Sequence, residues 1–122
     1  MNLANLHATL STSAILFLIV SGFWGLAGFL RRQPVTPAYK GILAVGEALL
    51  VAIALVGLLL FPDGRLPGPL HLLYGAVSVL ALPGVFAFTG GQMGRREALL
   101  YALVSWLTVG FIIRAWQTGQ VG

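Results

Sequence analysis

The sequence predicts an all-α integral-membrane protein, a four-transmembrane-helix up-down antiparallel bundle, and three observations predict it. Of the 122 residues, 58% are hydrophobic and 8% charged, with a mean hydropathy of +0.94. Soluble domains carry about 25% charged residues, so a chain this poor in charge cannot cover a water-facing surface, and lipid must be most of its solvent. The second observation is four apolar runs, each about the 20 residues that cross about 30 Å of hydrocarbon. The third is the joints, which are short, rich in helix breakers, and therefore turn consecutive helices antiparallel. Strands of a membrane barrel would alternate apolar and polar residues, and these runs do not.

The first helix is expected over about 5–30. Its start, MNLANLHATLSTS, holds no Lys or Arg, and its apolar part is too long for a secretory h-region, so it reads as a helix of the mature protein. Near its far end, in GFWGLAG, Gly22, Gly25 and Gly28 recur every third residue and form a smooth face for close helix packing. RRQPVTP, with Pro34 and Pro37, breaks the chain. The second helix is expected over about 38–61, with Tyr39 as an interfacial anchor and Ala44, Ala48 and Ala52 as a small-residue seam.

FPDGRLPGP leads to a third helix over about 67–89, where Pro83 removes a backbone donor and predicts a kink. TGGQMG precedes the fourth, over about 94–117. There Glu97, Tyr101, Ser105 and Thr108 share one stripe, Glu97 suits the positive end of the helix dipole, and Trp116 suits the far interface. The chain is one domain, 1–122.

Basic residues set an expected orientation. Arg31, Arg32 and Lys40 border the first joint and Arg95 and Arg96 the third, whereas the second has Arg65 beside Asp63. The positive-inside rule puts the first and third joints in the cytoplasm and both termini outside, in a cytoplasmic (inner) membrane. The net charge of +4 is scattered over joints rather than clustered, so no nucleic-acid partner is expected. Membrane lipids and other integral-membrane subunits are the expected partners. Absence of cysteine excludes disulfides, iron–sulfur clusters and thiolate metal sites.

A shift of 64 residues lays Leu6-His7 on Leu70-His71, Arg31-Arg32 on Arg95-Arg96 and Val45-Gly46 on Val109-Gly110. This pattern suggests a tandem duplication of a helical hairpin. It puts both histidines at the outer ends of parallel helices, which are diagonal partners in an up-down bundle. Two such imidazoles suit the axial positions of a haem b, with small residues Ser11, Ala14, Gly75 and Ser78 below them and Arg65 or Arg114 near the propionates. Against that stands the plain reading of two histidines hydrating in the headgroup layer. Two histidines without Cys or a nearby carboxylate make no zinc or copper site, so no metal site is expected.

Glu47 falls well within the hydrocarbon, where an acid costs about 2.5–3.5 kcal/mol and must face protein. It is a candidate for a proton relay, a quinone contact or a cation site, against a neutral carboxyl bonded to a neighbouring helix or paired with another subunit. No nucleophile–base constellation, metal-binding helix motif or phosphate loop is present, so no enzyme and no catalytic residue is expected.

Three functions follow, in order. The first is a small non-catalytic subunit that packs in and stabilises a larger bacterial membrane complex, an electron-transfer (respiratory or photosynthetic) complex by preference, without a cofactor or with only bound lipid or quinone. The second is a four-helix haem-b cytochrome ligated by His7 and His71, at most an electron carrier. The third is a small oligomeric transporter or channel that uses Glu47.

Overall fold

The computed structural model describes residues 2–60 and 68–121. Four helices make up the described residues: α1 (Leu3–Leu30), α2 (Pro37–Leu59), α3 (Pro69–Phe88) and α4 (Arg95–Val121). All four are long and apolar enough to cross a membrane. The chain is therefore read as a multi-pass membrane protein.

Capping chemistry explains where the boundaries differ from expectation. α1 starts two residues early because the Asn2 side chain accepts from the Asn5 N–H at 2.7 Å. α2 starts at Pro37, whose missing N–H costs nothing in the first turn, and the Thr36 hydroxyl accepts from the Tyr39 N–H at 3.2 Å. Glu97 acts as expected at the start of α4, its carboxylate accepting from the Gly94 N–H at 3.0 Å. α4 runs four residues past the expected end at 117. α3 continues as one helix through Pro83.

α1 and α3 end in the same double hydrogen-bond motif. Gln33 N–H reaches Gly28 O at 2.8 Å and Arg32 N–H reaches Phe29 O at 3.0 Å; Gly91 and Gly90 repeat this on Phe86 O and Ala87 O at 2.9 and 3.2 Å. The motif needs a left-handed residue. Gly90 (φ 63°) supplies it after α3, but after α1 the position is held by Arg32 at φ 59°.

Side-chain contacts set the directions. Residues near the start of α1 meet the end of α2, α1 meets α4 through Ser21–Ser105 and Trp106–Ile19, and α3 meets α4 through His71–Ala115, so each of these pairs is antiparallel. α1 packs on α2 and α4, α4 packs on α3, α2 and α3 touch least, and α1 and α3 do not pack on each other at all. The diagonal relation of α1 and α3 is thus realised, and the ring of helices is loosest between α2 and α3.

Small residues place the core. Ser21, Ser105 and Thr108 are fully buried, and Ser21 and Ser105 bridge α1 and α4 with hydroxyl oxygens 3.2 Å apart. Side chains added at Gly22 and Gly25 would overlap the rings of Trp106 and Tyr39. The first and third joints are stitched together, with Val35 N–H donating to Met93 O at 2.9 Å and Arg95 Nε donating to Phe29 O at 2.8 Å. Among the described residues the opposite end is packed less closely. Beyond Ala14 on α1, Leu50 on α2 and Ser78 on α3, toward the second joint, no described residue of those helices is buried.

Candidate histidine site

The two histidines meet at that less closely packed end. Their ring centroids are 6.4 Å apart, with planes inclined at 54°. Each ring is half-buried and turned away from its own helix onto the next one in the chain. His7 Nδ1 bonds the Ile53 carbonyl on α2 at 3.1 Å, and His71 Nδ1 bonds the Ala115 carbonyl on α4. A carbonyl oxygen only accepts, so each Nδ1 carries its hydrogen and the lone pair of the neutral ring resides on Nε2. That is the tautomer a metal ligand needs: one ring nitrogen anchored on a backbone carbonyl, the other open for coordination.

The surroundings suit a flat group. Ser11 and Ser78, a turn or two below the histidines, fold their hydroxyls back onto His7 O and Tyr74 O at 2.8 and 2.7 Å, and so project no polar atom between the helices. A Cβ at Gly75 would meet nothing within 4 Å. Arg114 lies next to Ala115, its guanidinium 5.7 Å from the Tyr74 ring centre and bonded to Gln117 Oε1 at 2.8 Å. It is a cation at the depth of the histidine pair. Arg65 lies outside the described residues.

The other expected sites are distributed differently. Glu47 is part-buried in α2, and its Oε1 is buried without a hydrogen-bond partner among the described residues. Tyr39 is not an interfacial anchor: it is 2% exposed, its ring lodged where Gly25 has no side chain, against Ala102. Of the glycine face, Gly22 and Gly25 pack closely, whereas Gly28 meets nothing within 4 Å. Ala44 and Ala48 are exposed and Ala52 half-buried, so the close approach of α2 to α1 is made by Gly46, against Leu18 and Phe17. The polar stripe of α4 faces inward, with Tyr101, Ser105 and Thr108 all buried. A cavity of about 300 Å³ lined by Trp24, Gly25, Arg31, Gln33 and Tyr39 lies at the first joint. At about 1.5 Å per residue along α2 it is about 27 Å from the histidines, so it belongs to a different end of the molecule.

Two residues escaped the sequence reading, Gly57 and Gly119. They underlie the His7 and His71 rings, with a would-be Cβ 3.2 Å from His7 Cε1 and 2.8 Å from His71 Nδ1. The signal was a matched pair of glycines, but at a shift of 62 where the histidines are shifted by 64. The Val45-Gly46 match at 64 does not correspond in the structure, because Gly46 packs on α1 and Gly110 meets nothing within 4 Å.

No family model, curated protein or solved structure matches this chain. Its function is therefore argued from its own residues.

Proposed function

We propose that this chain is a small membrane cytochrome that holds one haem b between His7 and His71 and carries single electrons. The observation behind it is the close pair of imidazoles, each anchored through Nδ1 to a backbone carbonyl. Two imidazoles that held one metal ion between them, with metal–nitrogen bonds of about 2.0–2.1 Å, would have ring centres roughly 6 Å apart. The 6.4 Å separation of the ring centres is of that order.

The haem supplies a one-electron iron couple; the chain supplies ligation, orientation and a low-dielectric surrounding. His7 and His71 would hold the group through Nε2, and the chemistry it would supply is single-electron transfer. Carbonyls Ile53 O and Ala115 O hold the rings and raise their basicity through the Nδ1–H bonds. Arg114 offers a cation for a propionate. The sparse contact between α2 and α3 leaves a side by which a macrocycle can enter.

This reading ranks the second sequence-based function above the first. It keeps the first as a setting, because an electron carrier built of membrane-spanning helices can meet a partner within the lipid, as a neighbouring membrane subunit or a quinone does. The membrane is taken to be the cytoplasmic one, with the basic first and third joints inside and the histidine end outside.

Expression under haem-replete conditions followed by an absorption spectrum in mild detergent tests the proposal. A Soret band that shifts on reduction, and is lost in both His7→Ala and His71→Ala, is expected. A colourless wild-type protein would overturn it.

A further inference from the structure

We propose that Gly57 and Gly119 are positioning residues, each forming the notch that lets an imidazole reach a helical carbonyl and thereby selects its tautomer. The inference takes these rings as the ligands of the proposed haem site, but the ring placement itself is testable without haem.

The carbonyl of residue i accepts from the N–H of residue i+4 and keeps a second lone pair. Each Cβ tilts toward the helix N-terminus, so the side chain at i+4 overhangs the turn that holds that carbonyl. A ring arriving from a neighbouring helix therefore reaches that carbonyl with least hindrance where position i+4 is bare. Both carbonyls have a glycine at that position: His7 bonds Ile53 O and Gly57 follows four residues later; His71 bonds Ala115 O, which also accepts from the Thr118 hydroxyl at 3.0 Å, and Gly119 follows four residues later. The same device occurs once in each helical hairpin.

The contact distances give the two sites different tolerances. A Cβ at Gly119 would stand 2.8 Å from His71 Nδ1 and 3.0 Å from Cε1, inside van der Waals contact along the very edge that bonds Ala115 O. The ring is tethered to its own helix and cannot retreat while keeping that bond. At Gly57 the would-be Cβ stands 3.2 Å from Cε1 and 3.6 Å from Nδ1 of His7, so a shift of a few tenths of an ångström relieves it. Gly119 is the stricter notch. Gly110, on the same helix as Gly119 with nothing within 4 Å, is the matched control.

The first arm uses the haem-free protein in detergent with 15N-labelled histidine. Nitrogen chemical shifts report which ring nitrogen carries the proton. In the wild type both rings are expected as the Nδ1–H tautomer. Gly119→Ala should move His71 to a mixture or to Nε2–H and leave His7 unchanged, Gly57→Ala should do the same to His7 to a smaller extent, and Gly110→Ala should change neither. The second arm uses the haem-loaded protein, where Gly119→Ala should weaken haem retention by about 10-fold or more, the usual effect of removing a partner that orients a ligand, and reduce the low-spin six-coordinate fraction.

If the tautomers respond but the wild type binds no haem, the positioning role stands and the cytochrome reading falls. If haem binds and neither alanine variant alters tautomer or spectrum, the positioning role is overturned. Should Gly119→Ala fail to fold, the milder Gly57→Ala decides by the same readouts on His7.

Discussion

His7 and His71 stand on helices that do not pack against one another, yet their rings are 6.4 Å apart. Neither ring bonds the other. Each is held by the helix that follows its own, α2 for His7 and α4 for His71, so the separation across the diagonal is set by four helices together. The gap between the ring centres lies toward the second joint, where no described residue of α1, α2 or α3 is buried.

Charge near that gap should tune it. Arg114 lies at the depth of the pair, and a cation favours the reduced, less positive iron. Replacing it by Leu should lower the midpoint potential by about 30–70 mV, from Coulomb's law at about 10 Å with an effective dielectric of about 20–40. Redox titration of the two proteins measures this, and an unchanged or raised potential would remove Arg114 from the site.

The glycine face of α1 should divide sharply. Gly25→Ala forces a methyl into the Tyr39 ring and against Ala102, an overpacking that costs about 1–3 kcal/mol. Gly28→Ala meets open space and should be neutral or slightly stabilising, since alanine is the better helix former. Thermal unfolding in detergent compares them, and equal effects would contradict the packing described.

Arg32 holds the left-handed position that ends α1, at φ 59°. For a residue with a Cβ this conformation costs about 1–2 kcal/mol, so Arg32→Gly should raise stability by about 1 kcal/mol. The spectrum of the distant histidine site should not change. A loss of stability would show that the arginine side chain makes a contact worth more than the backbone strain.

Glu47 presents a buried oxygen with no partner among the described residues. Leaving such a group unsatisfied costs about 1–3 kcal/mol, so Glu47→Leu should stabilise the isolated protein in detergent by a similar amount. Destabilisation, or loss of a co-purifying subunit, would instead assign the carboxyl a partner.

Much of the fold was legible because a bilayer imposes length and polarity, both of which can be counted along a chain. The runs, the breaker joints, the capping role of Glu97 and the common depth of the histidines all followed from that count. Tyr39 was misread for the converse reason. Tyrosine near a helix end suits a headgroup layer, and only the bare backbone of Gly25 on another helix makes room for it in the core. Within this chain the close approach of α2 to α1 is made by Gly46, while Ala44 and Ala48 of the alanine seam are exposed.

By itself the sequence determined that four apolar helices alternate in direction and that two imidazoles share one depth at one end. Tertiary structure alone decided that those imidazoles lie within 6.4 Å of each other, which carbonyl each one bonds, and that Gly57 and Gly119 lie against their rings. The division has a physical cause. Lipid discriminates among helices by length and polarity, whereas the rotation of an almost wholly apolar helix about its axis is settled by where small residues on neighbouring helices allow close approach.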